Sequence, residues 1–322
     1  MAGPEVHRHR RTAVVALGGN AIAPAGERST IYDQFRHTRE SLGPIIELAL
    51  DGWSVCIVHG NAPQVGDELV RNEVAREQAS PLPLGVLVAA TAGWMGYMIQ
   101  QSLDNALRRA GSTRGVATII TQVIVDPADP ALQNPVKFIG RPVSPERAAE
   151  LRAEGHVVKT DGHGNLRRVV GSPAPRGICE LAAIRSLVHA GMLVVACGGG
   201  GAPVYEHATL GWEGIDAVVD KDLVAAVLAR DLDAELLLIL TDVDAVYADW
   251  GTPAQRALPH LSTAEAEQMD AAQAFGEGSM APKIRAAVDF VRGTGGRAII
   301  TSLPRGREAV AGRAGTTITT EQ

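Results

Sequence analysis

Residues Leu193 to Val204 read LVVACGGGGAPV. Five residues suited to a buried strand run directly into four consecutive glycines, Gly198, Gly199, Gly200 and Gly201. Glycine packs nothing and loses more conformational freedom on folding than any other residue, so such a run at the end of a core strand needs a cause. In an open parallel sheet, ligands bind in the crevice beyond the carboxyl ends of the strands. Glycines placed there let backbone N–H groups approach an anion with no Cβ in the way. The expectation is that the order given up here leaves room for phosphate oxygens.

Working outward, the same punctuation recurs. The strand-like run Ala13–Leu17 ends in Gly18-Gly19-Asn20, Ser54–Val58 ends in His59-Gly60-Asn61, and Leu236–Leu240 ends in Thr241-Asp242-Val243-Asp244. Val116–Ile120 and Arg297–Ile300 add two more runs. Several are apolar throughout, as parallel strands covered on both faces should be. Helical periodicity lies between them. Ile31–Leu50 puts Ile31, Phe35, Leu42, Ile46 and Ala49 on one stripe, and Asp220–Ala229 and Pro282–Arg292 follow. Alternating strands and helices predict an α/β protein with a mainly parallel sheet and helices on both sides. The closing AGTTITTEQ is expected to add an edge strand.

A single glycine pair after a strand is usually a turn, and neither a P-loop nor a GxGxxG pattern is present. Four such turns in phase with successive strands carry more weight. Lysines add to them. Asp220-Lys221-Asp222 begins a helix, where acids suit the macrodipole and capping but a cation does not, unless an anion offsets it. The anomaly repeats in GSMAPKIRAAVDF, where Ser279 reads as a cap, Pro282 as an early helical residue and Lys283 as a first-turn cation. Either lysine alone has a surface reading. Two of them beside a glycine-rich rim fit phosphoryl transfer, in which positioned cations and N–H groups stabilise spreading charge. His59 reads as a structural hydrogen-bonding residue, with a general base as the alternative.

Composition sets the outer limits. With 322 residues, 46% hydrophobic and 20% charged, the chain has the make-up of a globular protein with a large core. A net charge of −6 argues against a nucleic-acid partner, which would need a basic face. Cys56, Cys179 and Cys197 are too scattered for zinc or a disulfide framework, and a reducing cytoplasm is expected. The twin arginines before Ala13–Leu17 mimic an export signal, but that apolar run is too short and Gly18-Gly19 interrupts it. No run is long enough for a membrane helix. Residues 1–11 read as a flexible tail and residues 12–322 as one domain. Residues 126–176 hold seven prolines and no long apolar strand, with a hairpin pattern around DGHGN. Loops of this length inside compact domains are usually functional, so the segment reads as a protruding subdomain.

VVALGGNAI, VHGNAPQVG, QVIVDPADPALQNPVKFIG, CGGGGAPV, GIDAVVDKDLVAAVLA, LILTDVDAVY and GSMAPKIRAAVDFV together resemble carbamate kinase, of the amino-acid-kinase superfamily. The resemblance runs in order from about Ala13 to Ile300. It implies a three-layer αβα sandwich, usually a homodimer, and reversible Mg2+-dependent phosphoryl transfer between carbamoyl phosphate and ADP in arginine metabolism. By position, Gly18, Gly19, Asn20, Gly60 and Asn61 would hold the carbamoyl phosphate side, with Gly198 to Gly201 lining the same cleft. Lys221 and Lys283 would bridge the phosphates, and Asp222 would fix the lysines. Thr241, Asp242, Val243, Tyr247, Ser279 and Met280 would shape the ATP/ADP pocket. Lys137 would reach in from the subdomain. No protein metal site is implied, Mg2+ being carried by the nucleotide phosphates.

Ala62 stands where the family usually has glycine, and Ala92 where it usually has glutamine. If position 62 required a positive φ, alanine would be strained there. Both departures lie on the small-substrate side, so an altered acceptor and ordinary family variation are both open. A same-fold kinase of another small carboxylate, carbamate or phosphonate, and a non-catalytic nucleotide-binding regulator, are the alternatives.

Overall fold

The computed structural model describes residues 11–19, 22, 30–162, 164–275 and 280–321. In chain order its strands are β1 (Thr12–Leu17), β2 (Ser54–His59), β3 (Val116–Thr118), β4 (Gln122–Ile124), β5 (Lys137–Ile139), β6 (Val157–Thr160), β7 (Leu166–Val170), β8 (Gly177–Ile178), β9 (Leu193–Val195), β10 (Ala202–His207), β11 (Gly211–Gly214), β12 (Leu236–Thr241), β13 (Val246–Ala248), β14 (Arg256–Leu258), β15 (His260–Ser262), β16 (Arg297–Ser302) and β17 (Thr316–Thr319). Eight of them form one sheet in the order β15-β17-β16-β12-β1-β2-β9-β3. Every pairing in it is parallel except β16 with β17.

The helices are α1 (Ile31–Ser41), α2 (Gly43–Leu50), α3 (Ala62–Ala75), α4 (Leu84–Arg109), α5 (Pro130–Gln133), α6 (Pro145–Ala153), α7 (Leu181–His189), α8 (Lys221–Asp231), α9 (Thr263–Ala271), α10 (Met280–Thr294) and α11 (Gly306–Val310). Successive strand residues point to opposite faces. Val14 and Ala16 therefore meet α7, α8 and α10, through Ile184, Val224, Leu228, Ile284 and Phe290. Ala13, Val15 and Leu17 meet α2 and α4, through Ile45, Leu48, Met95, Ile99 and Leu103. Both faces of the central strands are buried, which is why their sequences do not alternate, and the result is a three-layer αβα sandwich.

Three readings change. The helix expected over 31–50 is two, because α1 ends at Ser41 with Leu42 as its cap and Gly43-Pro44 opens α2; Pro44 lacks the N–H a continuous helix would need. The stripe's first member, Ile31, is 43% exposed. The C-terminal strand is not an edge: β17 lies between β15 and β16, and the short β15 closes the sheet. The longest helix, α4, was missed, since it is apolar on more than one face and shows little amphipathic contrast. Residues 1–10 lie outside the described residues; Arg11, just before β1, is tied to the start of β2, its carbonyl accepting from Ser54 N–H at 2.8 Å and its guanidinium lying 4.2 Å from the Trp53 ring centroid.

Within residues 126–176, β5, β7 and β6 form a separate antiparallel sheet. With α6 it encloses a small core of Ala148, Leu151 and Val158.

Candidate active site

The loops that follow β1, β2, β9 and β12 leave the same rim of the sheet. Gly18 N–H donates to Leu240 O at 3.1 Å and Gly60 N–H to Leu17 O at 3.0 Å, tying the first, second and fourth of these ends together. Gly19 and Gly60 nearly touch: a Cβ on Gly60 would lie 3.0 Å from the Gly19 nitrogen and 3.2 Å from Lys221 Cδ. A cleft of about 410 Å³ opens on the α1 side of this rim, with Gly18, Thr241 and Asp242 in its wall. His37 and Glu40 of α1 also line it, and nothing in their spacing had marked them.

Asp220 caps α8, its Oδ1 accepting from Asp222 N–H at 2.9 Å. This turn aims Asp222 inward, where it is 2% exposed. One Asp222 oxygen lies 2.7 Å from Lys221 Nζ and the other 3.4 Å from Lys283 Nζ. The two lysines, from helices α8 and α10, thus share one buried carboxylate. Lys137 of β5 pairs with Asp220, a role for that aspartate beyond capping which the sequence did not disclose.

Electrostatics divide the lysines. Burial opposes the charged form of Lys221, but the carboxylates of Asp222 and Asp220 outweigh it and hold the ammonium above its ordinary pKa. Lys283 is displaced downward, by burial first, with Asp222 opposing that shift and the neighbouring Lys221 charge adding to it. The difference follows distance, since Lys283 has the longer contact to Asp222. Asp220, although buried, is held well below the carboxylate range by Lys137 and Lys221.

The tetraglycine proves to be a packing device as well as a turn. Gly199, Gly200 and Gly201 all have positive φ, as does Cys197 before them. A Cβ on Gly198 would lie 2.5 Å from His59 Nε2 and 2.9 Å from the Ala92 methyl. One on Gly199 would overlap the Asn61 amide, and one on Gly200 would lie 2.9 Å from the Val219 carbonyl carbon. On the side where a Cβ would project, these glycines are thus packed against the protein itself. The N–H groups of Gly200 and Gly201 are also engaged, by Cys197 O at 2.9 Å and Gly198 O at 3.0 Å, which does not suit them to an anion.

Asn61 is buried and donates to Thr91 Oγ1 at 2.8 Å. His59 is fully buried, its Nδ1 is 3.1 Å from Gly60 O, and burial pushes its pKa down to about 4. A neutral buried ring suits the structural reading. Its protonation is a stability cost on acidification: the unfolded chain takes up the proton near pH 6.5 and the folded one only near 4, so stability falls as pH drops through that window. Between pH 6.5 and 5 the loss is roughly 1.5 kcal/mol from this group. His59→Gln should flatten the urea-midpoint profile over that range, and an unchanged slope would remove His59 as its source.

Ala62 opens α3 and is not among the residues with positive φ, so the conditional strain does not arise. Ala92 is buried beneath Gly198. Of the residues expected to shape a nucleotide pocket, Val243 is half-buried, Tyr247 donates its hydroxyl to Asp244 at 2.8 Å, and Met280 packs on the core. Asn20 and Ser279 lie outside the described residues. Among the described residues, no group of three or more His, Cys, Asp or Glu side chains is placed to hold a metal ion.

Two helix-borne lysines on one buried aspartate, at the glycine-rich rim of an αβα sandwich, define a class of phosphoryl-handling enzymes. A family model described as "Amino acid kinase family" matches residues 11–302. Curated relatives include the carbamate kinases of Pyrococcus horikoshii, 42% identical over 95% of this chain and 98% of that protein, and of Halobacterium salinarum, 46% identical over 95% and 97%. The structure of carbamate kinase from Giardia lamblia bound to citric acid superposes with a TM-score of 0.91 at 35% identity, covering 97% of this chain and 99% of that one. The chain belongs to the amino acid kinase family, among its carbamate kinases.

Proposed function

We propose that the chain catalyses reversible phosphoryl transfer between carbamoyl phosphate and ADP, giving carbamate and ATP. The observation that carries this reading is the single Asp222 carboxylate with an ammonium group on each oxygen. Two positive charges held by one negative charge leave a net positive spot beside Gly60, which suits a phosphoryl group whose charge spreads over its equatorial oxygens in the transition state. In the ATP-forming direction an oxygen of the ADP β-phosphate attacks phosphorus in line, the P–O bond to the carbamate oxygen breaks, and carbamate leaves with the electron pair. Gly18, Gly19, Gly60 and Asn61 serve the acceptor side. Thr241, Asp242, Val243, Tyr247 and Met280 serve the nucleotide, and Lys137 completes the positive set.

Mg2+ bound to the nucleotide phosphates would neutralise part of their charge. Asp222 has both oxygens engaged by lysines, so this donor set suits a metal that arrives with the nucleotide. A cytoplasmic homodimer acting in arginine metabolism belongs to the same reading. No helix among the described residues is long and apolar enough to cross a membrane. The outward stripe of α4, with Val86, Ala90 and Tyr97 beside Ile120, is an exposed apolar surface that suits a second copy.

A coupled assay for ATP formed from carbamoyl phosphate and ADP is expected to give turnover that EDTA abolishes. ATP formation persisting in EDTA would remove the metal. No ATP formation, with ADP release on another small acid acceptor, would replace the substrate; nucleotide binding without turnover on any acceptor would replace the enzyme by a regulator.

A further inference from the structure

The subdomain that carries Lys137 is seated on α3 by a contact between two glycines. A Cβ on Gly66 of α3 would lie 2.6 Å from the Gly140 nitrogen and closer still to its Cα, an overlap between two backbones with no side chain to rotate away. Gly140 has a φ of 68°, and a Cβ there would lie 3.3 Å from Gly66 Cα. Gly140 follows β5 directly, three residues after Lys137.

Other contacts fix the same seat. Gly140 N–H donates to Ala62 O at 3.1 Å, in the turn that begins α3 just after Gly60-Asn61. Arg167 Nη2 donates to Gly140 O at 2.7 Å. Ile139, 1% exposed, packs with Val65 of α3 and Val88 of α4. Further along α3, Asp67 accepts from Arg141 at 3.1 and 3.3 Å, and Glu73 accepts from Arg147 at 2.6 Å and Arg168 at 3.0 Å. One helix thus starts at the glycine turn assigned to substrate and carries along its length the seat of the strand that presents Lys137.

The geometry points to Gly66 and Gly140 as positioning residues for Lys137: their side-chain-free contact sets how far β5 reaches toward Asp220 and the phosphoryl site. This rests on the role proposed for Lys137. Gly66→Ala must push β5 away from α3 by roughly an ångström to restore ordinary contact distances, and misplacement on that scale costs on the order of 10²-fold in rate.

The test is a double-mutant cycle on kcat for ATP formation, using Gly66→Ala, Lys137→Ala and the pair. Gly66→Ala alone should lower kcat about 10²-fold, yet change it less than about threefold in the Lys137→Ala background. A parental rate in Gly66→Ala overturns the proposal, and so does a second loss of about 10² in the pair, since Gly66 would then act through something other than Lys137. A parental rate in Lys137→Ala instead overturns the catalytic assignment of that lysine, and the positioning with it. Should Gly66→Ala fail to fold, Asp67→Asn combined with Glu73→Gln loosens the same seat without adding an atom. A fall of about fivefold, absent in the Lys137→Ala background, is expected, and an unchanged rate overturns the proposal.

Discussion

Asp222→Asn should lower kcat by about 10³-fold and reduce the stability measured in urea by about 3 kcal/mol. The substitution keeps the side chain's shape and removes only its charge. Lys221 and Lys283 would then lie buried on either side of a neutral amide, where one carboxylate now holds both ammonium groups. Breaking a buried ion pair by removing one partner leaves an uncompensated charge, and this typically costs about 3–5 kcal/mol. Lys283 gives the change a signature. Burial and Lys221 already displace its pKa downward against the pull of Asp222, so without that pull the displacement deepens. Residual activity of Asp222→Asn should therefore fall as pH is raised through the range in which Lys283 loses its proton, while the parental enzyme holds its rate. Parental kcat in a folded Asp222→Asn protein would show that the carboxylate only fills space.

Lys283→Ala should leave the fold nearly intact and lower kcat by about 10²-fold or more, close to 2.7 kcal/mol of transition-state stabilisation. The asymmetry with Asp222 follows from the distances. When Lys283 is removed, Asp222 keeps Lys221 at 2.7 Å, so no buried charge is stranded. The ammonium that is lost was itself unfavourable to bury. Lys283→Met, which keeps most of the stem's volume, should show the same rate loss with still less effect on stability. The measurement is steady-state ATP formation beside a urea titration of the same preparation. Turnover near the parental rate in both variants would place the reacting phosphoryl group elsewhere.

The strand runs were legible because a parallel strand covered on both faces has to be apolar at every position, and five of the six quoted runs became central strands of one sheet. The sixth, Val116–Ile120, survives only as the edge strand Val116–Thr118. Lys221 and Lys283 stood out because a cation in a first helical turn contradicts the helix dipole, a local rule whose breach is visible without coordinates. The break at Gly43-Pro44 was equally local and was overlooked beneath the apolar stripe. By contrast, α4 gave little signal because its neighbours on several sides remove the contrast between faces. Asp220 as partner of Lys137 was hidden by a sequence separation of 83 and by a capping role that already accounted for it.

What the sequence determined on its own was periodicity and local exception: which runs are strands, which turns carry glycine, which helix starts carry a misplaced charge. Those properties depend on neighbours a few residues apart, so the order of residues suffices. Only the folded chain decided that one carboxylate serves two lysines, that the tetraglycine is pressed against Asn61, His59 and Val219, and that Gly66 meets Gly140. Each of these joins segments far apart in sequence at distances of a few ångströms, and such contacts are fixed by how whole layers pack.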